Sequence, residues 1–442
     1  MFLTLFLKEC KTIAKSIIYL VFICAMILFY TSQIGGFAES DIEQYYSREE
    51  MHGNPLSSNP LIKPQEGAED YGTKYAEIPE QIMPDVVSLL TLDWDSNQYT
   101  VRNMTGFGRK VKLSDEKQAE IAQVIFDITG IEAENVYSLM YDKAMSYPDN
   151  TTHNAIDFTD AIPIAVSYED YKIKMEQVDK ILGGMYDVTR FQQHSYVPMT
   201  YEDALAEYNG FMEYDRITGA YARLFCDYTG IVAALLSVFV PVAFLIRDKR
   251  AKANELIFSR KISSIKFIFA RYIAMVFMIT VPFILLSLVP SVQLTEFAFK
   301  NNMPVDIFAF VKYITAWILP TLMTTSAVAL VITTITDTPV AIAVQFIWSF
   351  ISLSVGGFAA YAGNTGELVH YGMNLLIRHN TIGGLQFYKD NLGQLILNRT
   401  FYAVLSIILV TVAILIYEQK RRGEIDVRSS LRKIFRSRKS AG

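Results

Sequence analysis

Residues 267–289 read FIFARYIAMVFMITVPFILLSLV, with a single charge, Arg271, near the start. A helix rises 1.5 Å per residue, so roughly 20 apolar residues cross ~30 Å of hydrocarbon, and this stretch is long enough to do so. Arg271 lies close enough to the boundary for its stem to carry the charge to the headgroups, so it is expected to be an interface residue. Outward from this run, five others meet or approach the same criterion, at 16–38, 228–246, 313–335, 339–362 and 400–417. The composition agrees. At 51% apolar and 13% aromatic residues, the 442-residue chain is too oily for a set of soluble domains. The expected fold class is therefore a polytopic α-helical membrane protein with six transmembrane helices.

Cations orient the spans, because Lys and Arg are retained in short cytoplasmic loops. Placing both termini inside gathers Lys8, Lys11 and Lys15, seven cations in 247–266 and nine in 420–439 on the cytoplasmic side. The short loops on the other side hold five. A basic segment before the first apolar run also fits a signal peptide, but the run is longer than a usual signal core. Residues 1–12 place Phe2, Leu3, Leu5, Phe6 and Leu7 ahead of Lys8 and Lys11, which reads equally as an interfacial helix or as an early start to the first span. The units are then 1–38 (interfacial helix and first span), 39–224 (an extracytoplasmic domain), 225–417 (spans two to six) and 418–442 (a basic cytoplasmic tail). The tail is expected to be solvated or bound to lipid headgroups.

From Gly36 to Leu224 there are 33 acidic and 15 basic residues, which hides a strong asymmetry under a total charge of −5. Such a surface excludes nucleic acid as a partner. The domain is expected to be mixed α+β, with short strands at 86–92 and 98–102. A helix over 114–129 should carry Ile121, Val124, Ile125 and Ile128 on one face and end at Gly130. Ser167 followed by Asp170 reads as a helix start closed by Gly183-Gly184, and Thr200 with Asp203 repeats the signal, leading through a break near Gly219 into the second span. Cys10, Cys24 and Cys226 all lie in or beside membrane runs, so no disulfide framework is available, in keeping with a bacterial plasma-membrane protein.

Several chemistries are excluded. Gly106-Phe107-Gly108-Arg109-Lys110 lacks the spacing and the Lys-Ser/Thr terminus of a phosphate loop, so this chain does not hold its own ATP. Histidines at 52, 153, 194, 370 and 379 give no HExxH pair, and no nucleophile elbow is present. Neither a catalytic residue nor a metal site is expected. Within the spans, Pro241, Pro282 and Pro320 permit kinks, while Thr324, Thr325, Thr333, Thr334 and Gln345 are read as interhelical hydrogen-bonding residues.

The functional signal is the loop 247–266. It begins Arg247-Asp248-Lys249-Arg250, continues Asn254-Glu255-Leu256-Ile257-Phe258-Ser259-Arg260 and ends in Ser263-Ser264. Apolar residues between charged ends suit a short helix that presses on a cytoplasmic partner while held by spans on both sides. A plain positive-inside loop accounts for the cations but not for the Glu-Leu-Ile-x-Ser-Arg block. This loop, with Asn398-Arg399, one span and Lys420-Arg421-Arg422-Gly423, resembles the permease subunits of type-two ABC exporters of the Gram-positive kind.

The resemblance implies a transport subunit, not an enzyme, driven by a separate cytoplasmic ABC ATPase that binds ATP. The implied contacts are Asp248, Glu255, Ser259 and Arg260, and a second copy or a related permease completes the path. It also implies re-entrant helices in the outer segment 363–399, which a plain outer loop would fit equally. The large outer domain departs from many members and leaves the substrate open. A sensor that signals through that domain without flux is the alternative function.

Overall fold

The computed structural model describes residues 2–34, 63–68, 71, 73–76, 78–102, 108–147, 158, 160–186, 195–251, 257–258, 261–361, 374–378 and 385–424. The chain opens with helices α1 (Phe2–Ala14) and α2 (Ile17–Gln33), bent by 67° to one another. The break follows from Ser16, whose backbone is extended. Residues 2–14 thus form a helix of their own, set off by a bend from the helix that follows.

A unit of helices and short strands follows: β1 (Thr73–Ala76), α3 (Pro79–Ser96), β2 (Tyr99–Arg102), β3 (Gly108–Val111), α4 (Asp115–Thr129), α5 (Ala133–Met145), α6 (Tyr168–Leu182), β4 (Met185–Tyr186) and β5 (Ser195–Pro198). The antiparallel sheet β3-β2-β4, with Thr100 opposite Lys110, lies against the four helices, and β1 pairs with β5 separately. The expected strand at 86–92 is instead the middle of α3. Apolar residues at 82, 83, 86, 87 and 90 repeat with a helical period, and all five are buried. Pro84 gives up only one hydrogen bond near the helix start. The strand at 98–102 is present as β2, and α4 ends at Gly130 in the left-handed conformation with φ 77°.

The Ser167 hydroxyl caps α6 by accepting from the Asp170 N–H, and Gly183 closes it at φ 69°. Helix α7 (Tyr201–Tyr214) starts with a full capping box. The Thr200 hydroxyl accepts from the Asp203 N–H, and the Asp203 carboxylate accepts from the Thr200 N–H at 3.0 Å.

The remaining elements are α8 (Thr218–Leu235), α9 (Phe239–Arg250), α10 (Ser264–Lys300), α11 (Ala309–Tyr313), a π-helical turn at Ile314–Ile318, α12 (Leu319–Thr336), α13 (Val340–Tyr361), α14 (Leu385–Asp390) and α15 (Leu392–Arg422). Among the described residues, four stretches are long and apolar enough to cross a membrane: Thr218–Asp248, Ser264–Lys300, Ala309–Thr336 and Leu392–Arg422. There are five if the bent pair α1–α2 is one span. The chain is thus mostly helical, and its long apolar helices are consistent with a polytopic, membrane-embedded protein. The run expected at 339–362 coincides with α13, of which Val340–Leu353 counts as a shorter apolar helix.

Two expected boundaries move. The candidate span that covers 228–246 begins at Thr218, ten residues before 228, and takes in Arg223 and Asp227, which are buried and paired. The last helix begins at Leu392, so Asn398 and Arg399, placed by the sequence in an outer segment, lie inside it and are buried.

Helix α12 is central, packing against α8, α9, α10, α13 and α15. Its π turn precedes Pro320, which has no N–H to bond four residues back. The Thr324 hydroxyl donates to the Tyr402 carbonyl at 3.0 Å, and Gln345 Nε2 donates to the Ala234 carbonyl at 2.9 Å, so both tie helices together as expected. The end of the bundle nearest 251–263 is called the loop end below, and the end nearest α7 the domain end.

Candidate functional site

At the loop end three helices bring four charges together. Asp248, two residues before the end of α9, pairs with Nη2 of Arg271 on α10. Arg271 Nε lies 3.6 Å from Glu9 on α1, and Arg247 Nη2 reaches both Asp248, at 3.2 Å, and Glu9, at 3.8 Å. Glu9, Asp248 and Arg271 are buried, and the guanidinium of Arg271 sits over the rings of Phe244 and Phe267 at 5.1 and 4.6 Å. Two acids and two cations make the group electrically balanced, which is what permits charges to be buried at all. Arg271 is therefore a buried clamp between helices and not the interface residue expected from its place in the run. A carboxylate on α1, 262 positions away in the chain, supplies a partner within the protein.

The C-terminal turns of α15 grip the other side of the same loop. Arg421 donates to the carbonyls of Phe258, at 3.1 Å, and Ile262, at 2.7 Å. The Ser264 hydroxyl donates to Glu418, whose other oxygen takes Arg422 at 3.0 Å. Phe258 packs edge-on to Tyr417 with ring centres 5.5 Å apart, and Ser263 caps α10 through the Lys266 N–H. Lys420 bridges to Asp337 after α12 at 3.2 Å. Lys420 and Arg421 of the basic tail are thus structural contacts, where the sequence suggested solvent or lipid, while Arg422 stays exposed. Residues 425–442 lie outside the described residues.

Of the residues singled out in the loop, Asp248 faces inward into the charge cluster. Glu255, Ser259 and Arg260 lie outside the described residues, as do all five histidines. Among the described residues, no group of three or more His, Cys, Asp or Glu side chains is placed to hold a metal ion.

The domain end carries a second buried charge layer that the sequence reading missed. Asp227 accepts from Arg378 Nε with both oxygens, at 3.0 and 3.1 Å. Arg223, fully buried, pairs with Asp215 at 2.9 Å and lies 4.8 Å over the Tyr388 ring. Arg399 donates to the carbonyls of Trp317, Asn374 and Leu375 and to the Thr321 hydroxyl. Through these bonds the stretch 374–378, which is not helical, is buried against α8, α12 and α15. Non-helical backbone is tolerated at such depth only when protein satisfies its polar groups, and Arg399 and Asn398 do this for the Asn374 carbonyl. Leu376 closes onto α8 where Gly230 leaves room: a Cβ there would stand 3.2 Å from Leu376 Cδ1. The rest of 362–384 lies outside the described residues, so re-entrant helices are not defined there.

The signal for this layer was present as isolated charges near apolar runs. Asp227 and Arg378, however, lie 151 positions apart and Arg399 and Trp317 lie 82 apart, although Asp215 is only eight from Arg223. Comparison with protein families, with characterised proteins and with solved structures finds no match to this chain.

Proposed function

We propose that this chain is the permease subunit of an ABC exporter of the type-two class. It crosses the bacterial plasma membrane six times, with both termini and the loop 247–266 in the cytoplasm and a mixed α+β domain outside. A separate cytoplasmic ATPase supplies ATP hydrolysis, and a second copy or a related permease completes the path.

The observation that carries this reading is the double anchorage of the loop. On one side Asp248 is tied to Arg271 and, through it, to Glu9, and on the other Arg421 holds the backbone at Phe258 and Ile262. A displacement of the loop is thereby delivered at once to α1, α9, α10 and α15, which suits a lever that turns ATPase closure into tilting of spans. In this division of labour Asp248 anchors the lever. Glu255, Ser259 and Arg260 are left to meet the ATPase.

The test is a mild-detergent pull-down from the native host, with mass spectrometry and an ATPase assay. Recovery of a P-loop ATPase in roughly equal amount supports the reading. A signalling partner without ATPase, recovered reproducibly with the intact chain, would replace it with the sensor function. Glu255→Ala is expected to weaken ATPase association or uncouple hydrolysis from transport, and a neutral result on both removes the role given to Glu255.

A further inference from the structure

Helix α1 has three distinct faces. At 100° per residue, Phe2, Phe6, Glu9 and Ile13 cluster on one side, and this is the side that packs on α10, with Phe6 and Phe277 5.6 Å apart edge-to-face and Ile13 buried. On the opposite side Lys8 and Lys11 fall within about 60° of arc, Lys15 follows in the turn just after Ala14, and all three are exposed. Between these faces Leu3 and Leu7 stand 64% and 56% exposed.

A short helix bent 67° away from a membrane-embedded helix, with exposed leucines flanking a lysine stripe, is built to lie in the headgroup plane. Leu3 and Leu7 enter the acyl boundary while the ammonium groups meet phosphates. Acids do not interrupt the stripe: the only acidic residue of α1, Glu9, is turned inward to Arg271 and Arg247.

We infer that Lys8, Lys11 and Lys15 form a docking surface for anionic phospholipid. The inference requires only that the chain is membrane-embedded, and it stands or falls independently of transport. Because Glu9 lies on the same helix, a lipid that holds the lysine stripe also holds one member of the loop-end charge cluster in place. Each lysine near an anionic surface contributes about 1 kcal/mol, so three together imply an anionic-lipid preference on the order of 100-fold.

The test uses the full chain in mild detergent, equilibrated with equal amounts of phosphatidylglycerol and phosphatidylcholine and then progressively delipidated, with retained lipid measured by mass spectrometry. Phosphatidylglycerol is expected to be enriched. The enrichment should fall by ten-fold or more in K8Q/K11Q/K15Q, collapse in ~1 M salt where the Debye length is about 3 Å, and persist in K8R/K11R/K15R. Equal enrichment in wild type and the glutamine triple would overturn the inference, as would enrichment indifferent to salt. Should the triple not fold, the single variants K8Q, K11Q and K15Q carry the same test, each expected to lower enrichment several-fold; three unchanged singles overturn it.

Discussion

Replacing Arg271 with methionine keeps most of the side-chain volume and removes the charge, so it isolates the clamp from the packing. In the folded protein Asp248 then loses its Nη2 donor and Glu9 is left with Arg247, 3.8 Å away, as its nearest cation. Two rings, Phe244 and Phe267, lose the guanidinium above them. Breaking one member of a buried ion pair costs about 3–5 kcal/mol, because the remaining charge stays desolvated. An arginine that merely reached the headgroups would be worth about 0–1 kcal/mol, as exposed pairs are. The two accounts therefore differ by enough to measure.

Arg271→Met is expected to lower stability by ~3 kcal/mol, read by denaturant titration of the purified protein in mild detergent with circular dichroism. Asp248→Asn in the same background should cost less than it does alone, giving a coupling of about 1–3 kcal/mol in the double-mutant cycle. A loss below about 1 kcal/mol for Arg271→Met, or strict additivity of the two changes, would refute the clamp.

Three other outcomes are open to direct measurement. Burial raises the Glu207 carboxyl on α7 to about 7, and its Oε2 has no hydrogen-bond partner among the described residues. With the folded value above the usual one of 4.5, stability is fullest below pH 4.5 and falls as pH rises toward 7. Glu207→Gln should therefore stabilise the protein by ~1–3 kcal/mol at pH 8 and by little at pH 4.5, as seen in thermal unfolding at the two pH values; equal effects at both would refute the assignment. Gly230→Val places carbon against Leu376 and should cost about 1–3 kcal/mol in the same unfolding assay, which Leu376→Ala in the same chain should partly restore. Arg399→Lys cannot reproduce the fork that serves three carbonyls, so it should destabilise by more than ~2 kcal/mol and increase proteolysis around 374–378; a lysine variant as resistant as wild type would show that a point charge suffices.

Much of the fold was legible because its signals are local. Caps at Ser167, Thr200, Gly130 and Gly183 lie within a few residues of the backbone groups they serve, and each forms as read. Apolar runs long enough to cross hydrocarbon identify themselves by length alone. The misreading at 86–92 has a local cause as well: the helical period begins at Ile82 and Met83, on the other side of Pro84, and the stretch 86–92 taken alone shows only part of it.

The candidate site divides along the same line. Length, hydropathy and cation placement in the sequence by itself determine a membrane-embedded helical protein and mark 247–266 as an unusual loop. Which charges are solvated and which are structural was decided by tertiary structure alone. Arg271 finds Glu9, Asp227 finds Arg378, and Arg421 finds the Phe258 carbonyl, across separations of 151 to 262 positions. Sequence periodicity carries no record of such pairings. A charge near the end of an apolar run can reach water, a headgroup or a buried partner, and only the packing of other helices around it removes the first two options.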